Sequence, residues 1–100
     1  MFGKRKTANE LDPPPLAIEP EAVEILRVWT AQEGGQEVVL STRWTDPGAW
    51  GLVLVDIAQH AANAYARNGM RREEVLSRIR ELFDAEWDSP TDDPREITRN

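Results

Sequence analysis

The segment at residues 47–68 is apolar around more of its circumference than a surface helix requires. At about 100° per residue, Val53, Ala64, Ile57, Trp50, Ala61, Leu54, Tyr65, Ala58, Ala62, Val55 and Ala66 cover an arc of roughly 220°. A helix resting on one core needs only about 100° of apolar arc. This one therefore expects two neighbours: a sheet and a second helix, or a second chain. Asp46-Pro47 supplies its start, because Asp accepts from early N–H groups and Pro is tolerated at the first helical position. Asn68-Gly69 supplies its stop.

A second helix follows at about residues 72–87. Val75, Leu76, Ile79, Leu82, Phe83 and Trp87 make an ordinary single stripe, with Glu74–Arg78 and Arg80–Asp84 as favourable pairs on the wet side. Glu86 falls inside that stripe and is expected to reach solvent or an arginine. Ser89-Pro90 ends the helix.

Ahead of the helices, residues 23–44 read as a β-hairpin. Val38, Leu40, Thr42 and Trp44 alternate with Glu37, Val39, Ser41 and Arg43, while Leu26, Val28 and Thr30 alternate with Ile25, Arg27 and Trp29. A two-residue Gly34-Gly35 turn would point Arg27 into the core. A three-residue loop with Gly35 left-handed instead pairs Val28 with Leu40 and Leu26 with Thr42, which buries Leu26, Val28, Leu40 and Trp44. Two strands alone are marginal in water. Their open edges suit a continuous four-stranded sheet shared by two chains. The fold expected is α+β: a β-hairpin followed by two antiparallel α-helices, in the order β-β-α-α.

The single domain spans residues 21–88. Residues 1–20, with Asp12-Pro13-Pro14-Pro15, read as a flexible tail whose Leu16 and Ile18 are free to tuck against the domain. Residues 89–100 read as a mobile acidic tail.

So short a domain buries only about 60% of its unfolded surface and gains from a disulfide, a metal or an oligomeric interface. With no Cys and one His, disulfides and thiolate metal sites are excluded, and no cofactor or metal is expected. A homodimer is the remaining option. A net charge of −6 with pI ≈ 4.7 argues against nucleic acid, which needs a gathered basic surface. Gly3-Lys4-Arg5-Lys6 is followed by no apolar stretch, so a signal peptide is not expected, nor is a membrane span. The chain reads as cytoplasmic.

Chemistry is sparse. Asp56 and His60 share a helical face and could orient a general base, but no nucleophile or second ligand accompanies them. They read as a solvated pair, and no catalytic residue is assigned. The sheet face opposite Leu26 and Val28 carries Arg27, Trp29, Val39 and Arg43, a composition typical of binding hot spots. That patch suits a protein partner, or a cover supplied by Leu16 and Ile18 or by a second copy. Function is thus expected to be a non-enzymatic interaction module or homodimer. The alternatives are an acidic chaperone-like protein for a basic client, and a small enzyme with a site shared between subunits through Asp56 and His60.

The segments AVEILRVW (22–29), DPGAWG (46–51) and RIRELFDAEWDSPTD (78–92) resemble a family of short alphaproteobacterial proteins of unknown function. The resemblance implies a bacterial, stand-alone chain and transfers no site residue.

Overall fold

The computed structural model describes residues 9–89 and the backbone of residues 95–99. A short 3-10 turn at Pro15–Ile18 precedes strands β1 (Leu26–Thr30) and β2 (Gln36–Ser41). Helices α1 (Ala49–Arg67) and α2 (Arg72–Trp87) follow, and then β3 (Arg95–Arg99). The hairpin and the two helices give the expected α+β order. The third strand is an addition to it.

β1 and β2 are antiparallel, with Leu26 opposite Leu40, Arg27 opposite Val39, Val28 opposite Val38 and Trp29 opposite Glu37. This register lies two residues from the expected one, because the loop holds residues 31–35 and Gly35 is not left-handed. The slip preserves every face, since side chains repeat with a period of two. It also sets aliphatic residues directly against aliphatic residues, the pairing that stabilises a sheet most simply. The Ser41 N–H donates to the Ile25 carbonyl at 3.0 Å and carries the ladder one step further.

β3 lies parallel to β2, with Ile97 at the register position of Val39. The sheet order is β1-β2-β3. Residues 95–99 thus form a strand where an acidic tail was expected, and the β-branched pair Ile97-Thr98 suits that role. Its presence also occupies the β2 edge, one of the two at which a four-stranded dimeric sheet could have formed.

Asp46 acts slightly before the start expected for α1. Its Oδ1 accepts from the Gly48 N–H at 2.8 Å and its carbonyl from the Ala49 N–H at 3.1 Å, so the turn precedes the helix proper. At the far end Gly69 adopts φ 102°, a region that L side chains avoid. Gly69→Ala meets no neighbouring atom within 4 Å, so its cost is backbone strain alone. A loss of about 1–2 kcal/mol is expected, read as a lower urea midpoint at unchanged slope.

α2 folds back on α1, and Arg72 donates to Asn63 (2.7 Å) and to Gln59. Along the wet side Arg80 pairs with Asp84 (2.9 Å), as expected, whereas Arg78 pairs with Glu81 (2.7 Å) and Glu74 with Arg71 (3.5 Å). Packing is tightest near the Gly69 turn. Ala62 on α1 and Val75 on α2 are the buried apolar side chains among the described residues. Toward the other end of the pair Val55, Leu82, Phe83 and Trp87 are exposed.

The helix expected to be covered on two sides is covered on one. Leu54 is 43% exposed and Val55 59%. Several residues assigned to the core are consequently wet. Trp87 is 66% exposed and stacks on Phe83 with ring centroids 5.0 Å apart, while Val28 is 48% exposed. Trp44 meets Trp50 edge to face at 5.7 Å instead of closing the strand face.

Candidate functional site

Arg27 and Val39 are cross-strand partners, and Trp29 follows two residues along β1 on the same face. Strand alternation brings these three together. Arg43 lies outside the strands, and its N–H donates to the Ser41 Oγ at 3.2 Å. That bond satisfies the one buried polar side chain among the described residues.

Arg27 is held from within the chain. Its guanidinium lies 3.1 Å from Glu10 and 2.9 Å from Glu24. The segment before the hairpin therefore reaches the Trp29 face through a charge, not through the apolar cover expected of Leu16 and Ile18. Both of those are exposed. Sequence reading missed Glu10 and Glu24, because sequence spacing does not show where an extended segment runs. The Arg27 cation is thereby paired, and Trp29 remains the exposed aromatic of the patch.

An open cleft of about 320 Å³ adjoins this face and is lined by Glu24, Ile25, Leu26, Arg27, Val39, Leu40 and Ser41. A smaller one of about 190 Å³, between Tyr65, Met70, Val75, Arg78 and Ile79, is almost wholly apolar. Asp56 and His60 are exposed on α1 and line neither cleft. Among the described residues no three His, Cys, Asp or Glu side chains gather as metal ligands. None of the described helices is long and apolar enough to cross a membrane.

A family model described as "Domain of unknown function (DUF5076)" matches residues 10–91. No curated protein matches the chain. Among solved structures, the chain is similar to one described as "Structure of a putative pyruvate dehydrogenase from the photosynthetic bacterium Rhodopseudomonas palustrus CGA009". The two are 37% identical, each is covered over 100% of its length, and the TM-score is 0.66.

Proposed function

The chain belongs to the family Domain of unknown function (DUF5076), and from that premise we propose that it works by association, as a homodimer serving as a protein–protein interaction module. What supports this most is the apolar surface that a single chain leaves wet. Among the described residues the buried apolar side chains are Ala62 and Val75, while large apolar side chains on both helices stay exposed. Leu54, Val55, Ile57, Leu82, Phe83 and Trp87 belong to helical stripes and are not scattered singly over the surface.

The face of Arg27, Trp29, Val39 and Arg43 is the surface proposed for a different protein partner. The name of the solved relative is not carried across, because it is said of that protein and nothing among the described side chains points to that activity.

Light scattering of the purified chain at micromolar concentration tests the reading. A mass of twice 11.3 kDa and a melting temperature that rises with protein concentration are expected, since folding and association are then linked. A folded particle of 11.3 kDa with a concentration-independent midpoint would refute it.

A further inference from the structure

Helix α1 is bulky in its first half and mostly small in its second. Its apolar stripe runs through Trp50, Leu54, Ile57, Ala61 and Tyr65, of which Leu54, Ile57 and Tyr65 are exposed. Laid on a copy of itself in the parallel sense, this stripe would crowd Leu54 on Leu54 and leave a void between the two Ala61 side chains. In the antiparallel sense, turned about a midpoint between residues 57 and 58, Leu54 meets Ala61 of the second copy and Trp50 meets Tyr65 of that copy. Large then faces small at the centre, as in a well-packed core, and the two helix dipoles oppose each other.

Beside that stripe α2 supplies charges. Tyr65 and Arg78 line one cleft, which places them on the same side of the helical pair, whereas Arg72 reaches Gln59 and Asn63 of the polar arc. The edge of α2 that holds Arg78 runs through Arg71, Glu74, Glu81, Ala85 and Asp88, at intervals of three and four residues. It begins basic and ends acidic. Turned about a midpoint between residues 79 and 80, Arg71 faces Asp88 of a second copy and Arg78 faces Glu81. α1 ends at Arg67 and α2 begins at Arg72. The two midpoints thus lie about ten and about eight residues from the turn, level to within about 3 Å at about 1.5 Å per residue. One axis serves both helices. We infer that two copies stack helical pair on helical pair about that two-fold axis, α1 antiparallel on α1 and α2 antiparallel on α2. This rests on the self-association proposed above and specifies its geometry. Complementarity identifies the occupant as a second copy, because the reversed chain brings a carboxylate to Arg71 and to Arg78 and an alanine to Leu54. The Arg78–Glu81 pair within each chain (2.7 Å) meets its symmetry mate at the axis and closes a cluster of alternating charge.

Charge reversal in the full chain tests this. Arg78→Glu opposes like charges at Glu81 of the second copy, and Glu81→Arg does so at Arg78. Each reversed contact occurs twice, so either variant alone is expected to self-associate at least about tenfold more weakly than the wild type by sedimentation equilibrium. Mixed one to one, the two variants restore opposite charges across the axis while the pair inside each chain stays broken. The mixture is therefore expected to dimerise more tightly than either variant. Altered net charge alone would put the mixture between the two. That result, or variants that associate like the wild type, overturns the axis while self-association stands. A second measurement leaves positions 78 and 81 untouched. The chain has no cysteine, so Leu52→Cys and Arg67→Cys each carry one spin label at an exposed position of α1. Pulsed electron resonance is expected to give the longest distance between two labels at 67, a shorter one between two at 52, and the shortest in dimers labelled at 52 on one chain and 67 on the other. A mixed distance that is the longest of the three means parallel helices and equally overturns the axis. Wild-type chains that stay monomeric overturn both readings.

Discussion

Leu54→Asp is expected to abolish the proposed homodimer, weakening self-association at least about a thousandfold and lowering the melting temperature with it. Leu54 is exposed on α1, beside Trp50 and Ile57 of the same helical stripe. A carboxylate placed there would be taken out of water on association with no cation opposite it. Truncating a central apolar anchor costs about 2–4 kcal/mol, and a two-fold interface feels each substitution twice. The combined effect is on the order of 4 kcal/mol or more, three powers of ten in the dissociation constant. Sedimentation velocity at micromolar concentration reads the loss directly. Leu52→Asp is the control. Leu52 interrupts the polar arc of Asp56, Gln59, Asn63 and Arg67, so its substitution is expected to leave the dimer intact. An L54D protein that keeps the wild-type mass and midpoint would show that this flank faces water in the functional state.

How far the sequence alone reached depends on whether an element's cover is local. α2 runs over Arg72–Trp87, as its stripe and its Ser89-Pro90 stop predict, because a helix declares its ends through neighbouring residues. The strand faces were also readable, since alternation survives a register error of two. Loop length was not, because Gly34-Gly35 advertises a tight turn while the opposed Leu26–Leu40 and Val28–Val38 pairs favour a longer one. β3 carries a single aliphatic residue, Ile97, among charges. Its pairing partner lies more than fifty residues away, so no local pattern marks it. Periodicity shows which side of α1 avoids water. It does not show whether this chain supplies the cover, which is why Trp87 and Val28 were placed in a core that one chain does not build.

The binding patch divides in the same way. Arg27, Trp29 and Val39 share a face because strand geometry requires it. The charges that hold Arg27 come from Glu10 and Glu24 on a segment with no periodic signal. Exposed ion pairs of this kind contribute about 1 kcal/mol or less. They orient the side chain more than they stabilise the fold.

Ala62→Asp is expected to unfold the helical pair outright, independently of association. Ala62 is 0% exposed and, with Val75, marks where α1 and α2 pack most closely. The small side chain lets the helices approach, and a larger one must be expelled or must push them apart. A carboxylate there has no ready counter-charge, because Arg72 is engaged with Asn63 and Gln59. An uncompensated buried charge costs about 3–5 kcal/mol, a large part of what so small a domain has to lose. Circular dichroism should show the loss of helix at neutral pH. Burial disfavours the ionised form, so the introduced carboxyl would bind its proton more tightly in the folded chain than in the unfolded one. The deficit should therefore shrink as the pH falls through the carboxylate range and be smallest below it. Ala62→Asn brings nearly the same volume without the charge, and its smaller deficit should not follow that pH course. If A62D instead melted like the wild type at neutral pH, the α1–α2 contact would not be the one that holds the helices together.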